Sequence, residues 1–142
     1  LKECFTTHLE ETQGQVERLT KIAEILEVKL TGKKCAAMEG LIEEAKEVLD
    51  ADGPEEVIDA ALIIAAQKVE HYEISAYGSA RTLAEHLGQE EVVNLLQETL
   101  EEEEAADEKL TNISVEEILA QAESMDDDEE MDEEEERSPR GA

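Results

Sequence analysis

Residues 61–78, ALIIAAQKVEHYEISAYG, decide the fold class because they place charged side chains inside a long apolar pattern. Their apolar positions recur every three or four residues, which predicts one continuous helix. On a helical wheel Glu70 and Glu73 share a face with Ala66 and Tyr77. The stretch therefore predicts a helix that carries two carboxylates along an otherwise apolar face.

The same helical periodicity extends along most of the chain, while strand signals are almost absent. Aromatic residues make up 2% of the sequence and alternating apolar runs are missing. Gly32 and Gly88 suit left-handed helix ends, and the spacing of Ser114 and Glu117 fits a capping box. The predicted helices run from Leu1 to about Val28, Cys35 to Leu49, Pro54 to His86, Gln89 to Thr111, and Ser114 to about Glu123.

Three long amphipathic helices joined by short connections predict an all-α protein built as a four-helix bundle. We expect the bundle to occupy residues 1–113 and a short C-terminal helix to occupy residues 114–123. Residues 124–142 contain the run MDDDEEMDEEEE, which repels itself and cannot bury apolar surface. We therefore predict a disordered acidic tail over 124–142.

The charge of the chain excludes several partners. The formal net charge is −28, which repels nucleic acid and anionic membranes. No window approaches eighteen consecutive apolar residues, and no targeting segment is visible. Two cysteines are too few for a disulfide framework, so a cytoplasmic protein is the expectation.

A possible internal repeat relates the first and fourth predicted helices. Residues 8–22, HLEETQGQVERLTKI, align with residues 99–113, TLEEEEAADEKLTNI, at a constant offset of 91. A duplication predicts two similar helix pairs and hence an additional helix before Leu1. Chance similarity between two acidic amphipathic helices is the alternative.

Carboxylates from three predicted helices are candidate metal ligands. His8, Glu11 and Gln15 flank the apolar stripe of the first helix, and Glu102 lies on that of the fourth, with Glu103 beside it. Converging carboxylates away from water repel one another unless a cation lies among them. Hard oxygen ligands favour iron or manganese.

Two other functional classes compete with a metal site. Glutamate is abundant enough to fall on any helical stripe, so the chain could be a non-catalytic acidic scaffold that interacts with other proteins. A hydrolytic enzyme would need a nucleophile and a base. Cys4 and His8 have helical spacing, but no third group orients them.

Four blocks together resemble the YciF/YciE-like family of ferritin-like bacterial stress proteins, over roughly residues 1–113. The blocks are HLEETQGQVERL, CAAMEGLIEEAKEVL, DAALIIAAQKVEHYEISAYG and LLQETLEEEEAADEKL. The resemblance implies a ferritin-like bundle, a homodimer, a stress-response setting and a carboxylate-rich dinuclear metal site. It also implies a glutamate-bearing helix before Leu1, so we expect the first helix of the bundle to be missing from this chain.

Carried onto this sequence, the resemblance implies four metal ligands: Glu11, Glu70, Glu73 and Glu102. The ferritin-like spacing of Glu followed three residues later by His is not kept, because Gly14 and Ala105 stand at those positions. That departure weakens the transfer of iron-oxidising chemistry. Four further side chains could complete the ligand set or orient it: Gln15, His71, Glu103 and Asp107.

Overall fold

The computed structural model describes residues 1–119, in which helices are joined by short non-helical connections and no strand occurs, and this confirms the all-α prediction. The helices are α1 (Lys2–Ile25), α2 (Ala36–Leu49), α3 (Glu55–His86) and α4 (Glu90–Ile113), followed by a π-helical turn at Ser114–Ile118. The predicted acidic tail, and the end of the helix predicted at 114–123, lie outside the described residues. None of the described helices is long and apolar enough to cross a membrane.

The ends of α1 and α3 use the same left-handed closure. Gly88 has φ 69°, and the N–H of Gln89 donates to the carbonyl of Ala84 at 3.0 Å, as predicted for this helix end. Helix α1 ends earlier than predicted because Glu27, with φ 55°, takes the left-handed conformation that we assigned to Gly32. A non-glycine residue in that region is uncommon.

The starts of α2 and of the last helical turn differ from each other. Cys35 caps α2, because its Sγ accepts a hydrogen bond from the N–H of Met38 at 3.5 Å. Ser114 has helical dihedrals and continues directly from α4. The prediction that Ser114 caps a separate helix is therefore wrong, since its backbone is already inside a helix.

Helix α4 is the central packing element. It pairs extensively with α3 and also contacts α1, while α2 packs on the far side of α3. Helices α1 and α3 run parallel and α4 runs antiparallel to both. No Cα atoms of α1 and α3 lie within 8 Å of each other, so these two helices meet only through their side chains.

Two apolar clusters form the core, one toward each end of the helices. One contains Cys4, Ile63, Leu110 and Ile118, and the other contains Ile22, Ala84, Val92 and Leu96. Between them lies a layer of buried polar side chains: Gln15, Glu70, Thr99 and Glu103. The fold thus holds a polar site between two apolar regions, and both regions fix the positions of its helices.

We expect Ile63→Ala to destabilise the protein by about 2–4 kcal/mol, because truncating a buried aliphatic side chain leaves a cavity. Ile63 is 1% exposed and lies in the cluster near the start of α1. Urea unfolding followed by circular dichroism measures the change.

The matched control is Ile64→Ala, because Ile64 is the next residue on α3 and is 59% exposed. We expect this change to shift the free energy of unfolding by less than about 0.5 kcal/mol. Equal losses for the two variants would contradict the packing described here.

Candidate metal centre

Three ligand groups from three helices converge in the polar layer. His8 comes from α1, Glu70 from α3 and Glu103 from α4, and one ligand atom of each lies within 4.8 Å of the other two. All three helices are held in place by the apolar clusters above and below. The site is therefore a product of tertiary packing and not of one local motif.

Both carboxylates of this cluster are deeply buried. The side chain of Glu103 is 0% exposed and that of Glu70 is 3% exposed. Among residues 1–119, neither oxygen of Glu103 has a hydrogen-bond partner, and Oε2 of Glu70 has none. Buried polar atoms are nearly always satisfied in proteins, so these three oxygens require a partner of some kind.

His8 connects the two buried carboxylates. Its Nε2 lies 3.3 Å from Oε1 of Glu70 and 3.8 Å from Oε2 of Glu103. On the opposite side of the ring, Nδ1 lies 3.4 Å from Oε2 of Glu11. A carboxylate on the outer nitrogen fixes the orientation of an imidazole whose other nitrogen faces a metal site. Glu11 therefore acts on this cluster through His8.

The pKa values of the cluster show how its charge is balanced by protons. The hydrogen bond to Glu70 raises the pKa of His8 to about 9, against the opposing effect of burial. Burial is the largest cause that raises the pKa of Glu103 to about 8, and the neighbouring carboxylates of Glu70 and Glu73 contribute to this rise. Burial also acts to raise the pKa of Glu70, but the hydrogen bond and charge of His8 outweigh it, so that pKa is lowered.

Glu73 and Tyr77 border the cluster on α3. Both are half-buried. Burial, and then the charge of Glu70, raises the pKa of Glu73, while His8 opposes this. Burial likewise raises the pKa of Tyr77 to about 12, with smaller contributions from Glu73 and Glu103. Glu73 therefore lies within electrostatic reach of Glu70 and His8.

Glu102 makes different contacts from its neighbour Glu103. Its two oxygens accept hydrogen bonds from the guanidinium of Arg18, and Nε2 of Gln15 donates to Oε2 at 3.2 Å. The hydrogen bond from Arg18 is the largest cause of the lowered pKa of Glu102, with burial opposing it. Glu102 is thus held by a cation that belongs to the protein.

The structure divides the four predicted ligands into three groups. Glu70 lies in the cluster, Glu11 and Glu73 lie beside it, and Glu102 binds Arg18. Their role as metal ligands stays a prediction. The central residue on α4 is Glu103, which sequence reasoning gave only as a possible addition to the ligand set.

A signal for Glu103 was present in the spacing of α4. Its buried positions alternate by four and three residues, which is the period of one helix face: Val92, Leu96, Thr99, Glu103, Ala106 and Leu110. The stripe predicted through Glu102 shares Thr99 and Ala106 with this face but contains Glu102 in place of Glu103. Glu103 is the only acid on the buried stripe.

Three other candidates are not part of the cluster of His8, Glu70 and Glu103. The side chain of His71 is 70% exposed and its Nε2 lies 3.2 Å from Oδ1 of Asp107, at the surface. Cys4 is buried in an apolar cluster, where it packs like a small hydrophobic residue. Gln15 is 2% exposed and lies in the buried polar layer, where it donates a hydrogen bond to Glu102.

The residues of the cluster fit a divalent metal ion. One imidazole and two or more carboxylates are suitable ligands for iron or manganese. The unpartnered oxygens of Glu70 and Glu103 offer lone pairs toward a shared centre. A cation there would satisfy those oxygens and offset the repulsion between the two carboxylates.

Comparisons with known proteins place this chain among helical bacterial proteins. Residues 1–124 match the family described as a domain of unknown function, DUF892. The chain is 53% identical over 125 residues to Protein YciF of Escherichia coli strain K12, covering 87% of this chain and 75% of that protein.

Two solved structures have the same fold. The crystal structure of the E. coli stress protein YciF superimposes with a TM-score of 0.77 at 55% identity, covering 80% of this chain and 72% of that chain. The structure of YcfI from Rhodopseudomonas palustris superimposes with a TM-score of 0.75 at 43% identity and the same coverage. This chain therefore belongs to the DUF892 family.

Proposed function

We propose that this protein binds a divalent metal ion, iron or manganese, through His8, Glu70 and Glu103 inside its helical bundle. The observation that carries the proposal is the pair of buried carboxylates, three of whose four oxygens have no hydrogen-bond partner among residues 1–119. Glu11 orients His8, and Glu73 supplies an additional carboxylate at the edge. Such an ion, when bound, supplies Lewis-acid or redox chemistry.

A purely structural acidic scaffold explains these residues less well. A scaffold gains solubility from acids on its surface, and the net charge of −28 shows that such acids are plentiful. Burying a carboxylate without a compensating group costs free energy, so a scaffold gains nothing from Glu103 in its core. A bound metal ion would explain why a carboxylate is buried at this position.

The setting of the function rests on similarity. The matched E. coli protein is described as a stress protein, and we extend a stress-response role to this chain on that basis. The cytoplasmic location and the absence of a nucleic-acid partner remain predictions from composition and charge. A second ion, as in a dinuclear centre, would draw on the three neighbouring glutamates: Glu11, Glu73 and Glu102.

The first test is metal binding by variants of the cluster. We expect Glu103→Gln and His8→Gln each to weaken Mn²⁺ binding by more than about tenfold, because each removes a ligand or its charge. Isothermal titration of the metal-free chain with Mn²⁺ gives the affinity, and elemental analysis gives the metal content after purification. At Mn²⁺ concentrations about 100 times Kd, binding should stabilise the native protein by about 2.7 kcal/mol.

The matched control is Glu104→Gln, because Glu104 is the next residue on α4 and its side chain is exposed. It removes the same charge from the chain without touching the cluster, so its affinity should stay close to that of the wild type. If Glu103→Gln and His8→Gln both bind Mn²⁺ as tightly as the wild type, the proposed site is wrong.

The second test uses the protons that balance the cluster when no metal is bound. The pKa of His8 is about 9 in the folded protein, compared with 6.5 in the unfolded chain. Between these pH values the folded protein keeps a proton on His8 that the unfolded chain has lost. The pKa of Glu103 is about 8, so between pH 4.5 and 8 the folded protein likewise keeps a proton on Glu103 that the unfolded chain has lost. Both groups make the folded state bind more protons, so stability must fall as pH rises through these ranges.

We therefore expect the free energy of unfolding, measured in urea with a chelator present, to decrease from pH 5.5 to pH 8.5. The slope is up to about 1.4 kcal/mol per pH unit for each proton retained by the folded state. Glu103→Gln should give a shallower slope, because that variant has no proton to lose at this position. A wild-type slope equal to that of Glu103→Gln would show that Glu103 does not titrate in this way.

The third test concerns a second copy of the chain. Phe5, Leu9 and Val16 of α1 are 37%, 59% and 59% exposed, and they follow one another along one face. The first two line an open depression of about 460 Å³ that extends to Leu62 of α3. Contiguous exposed apolar surface is typical of an interface, and we propose that a homodimer covers it.

Sedimentation velocity over a range of protein concentrations should show a dimer that dissociates on dilution. Leu9→Glu should shift the equilibrium toward monomer, because it places a charge in the apolar face. Glu10→Gln, at the exposed neighbouring position, is the control and should leave the equilibrium unchanged. A folded wild-type monomer at every concentration would contradict this proposal.

A further inference from the structure

Arg18 is the positively charged side chain that lies next to the metal cluster without belonging to it. Its guanidinium extends from α1 to α4, where one nitrogen donates to Oγ1 of Thr99 at 3.1 Å and to Oε2 of Glu102 at 2.7 Å. The other nitrogen donates to Oε1 of Glu98 at 2.9 Å and to Oε1 of Glu102. The side chain of Arg18 is only 16% exposed, so these contacts are held in a restricted geometry.

These contacts engage both carboxylate oxygens of Glu102. Arg18 binds both carboxylate oxygens, and Gln15 donates to one of them as well. Glu103, one residue along the same helix, has no hydrogen-bond partner on either oxygen within the described chain. The two adjacent glutamates therefore differ: both oxygens of Glu102 accept hydrogen bonds from the protein, and neither oxygen of Glu103 does.

Glu102 nevertheless lies near the cluster. Its neighbour in space, Gln15, is in the buried polar layer, and the positive charge of His8 contributes to lowering the pKa of Glu102. A carboxylate at this position could serve a second ion if it were released from Arg18. Glu102 is thus a potential metal ligand whose carboxylate is bound instead by the guanidinium of Arg18.

We propose that Arg18 is a positioning residue that holds Glu102 away from the metal centre and thereby limits the site to a single divalent ion. The inference rests on the proposed metal-binding function. An arginine suits this role because its planar fork binds both oxygens of a carboxylate at once. A lysine supplies the same charge at one point and would hold the carboxylate less firmly.

The test compares the metal stoichiometry of four forms of the chain: wild type, Arg18→Gln, Arg18→Lys and Arg18→Gln combined with Glu102→Gln. Each is titrated with Mn²⁺ by calorimetry and with Co²⁺ by visible absorption, which reports the coordination of each bound ion. In Arg18→Gln we expect the metal-to-chain ratio to rise from about one to about two, as in dinuclear carboxylate bundles. The double variant should return to about one, because the released ligand is gone.

Stoichiometry is the decisive readout. Removing the charge of Arg18 strengthens the attraction for any cation, so a higher affinity for the first ion alone would not identify a new ligand. Arg18→Lys keeps the charge, and we expect it to bind a second ion more weakly than Arg18→Gln does. If circular dichroism shows that Arg18→Gln does not fold, Arg18→Lys still tests the inference.

The possible failures can be told apart. A wild-type chain that binds no Mn²⁺ overturns the proposed function and this inference together. If the wild type already binds two ions, or if folded Arg18 variants bind only one, the proposed role of Arg18 is wrong. Neither result contradicts the proposed metal site. A double variant that still binds two ions shows that Glu102 is not the released ligand, and this also overturns the inference.

Discussion

Compensation of buried negative charge is the constraint on which this structure depends. Glu103 is completely buried and Glu70 nearly so, and their carboxyl groups face a common centre. Two ionised carboxylates in such a place repel each other and lose their hydration. Without metal, His8 and a proton on Glu103 supply the compensation, which is why the pKa values of both groups are raised. A bound cation would supply it more directly.

The surrounding fold keeps this arrangement together. Apolar clusters on both sides of the polar layer hold the three helices at fixed positions. Because α1 and α3 have no close backbone contact, the side chains of His8 and Glu70 provide a direct link between them. The same layer is thus both the candidate functional site and part of what joins α1 to the α3–α4 pair.

Adjacent glutamates on α4 illustrate how one residue of helical rotation changes the surroundings of a side chain. Successive residues on a helix point about 100° apart. Glu103 therefore faces the interior, while Glu102 faces α1 and meets Arg18. The sequence shows only a run of four acids here, so the wheel selects Glu102 and not the fully buried Glu103. The spacing of Val92, Leu96 and Leu110 indicates the correct face.

The sequence by itself determined the helical class, the approximate helix limits and the presence of carboxylates on the inner face of α3. It could do so because periodicity, glycine and proline positions and helix-end chemistry are local properties. The tertiary structure alone decided that His8 meets Glu70 and Glu103, that Arg18 holds Glu102, and that Glu27 ends α1. These outcomes depend on the rotation and distance between helices, which arise from packing over the whole chain.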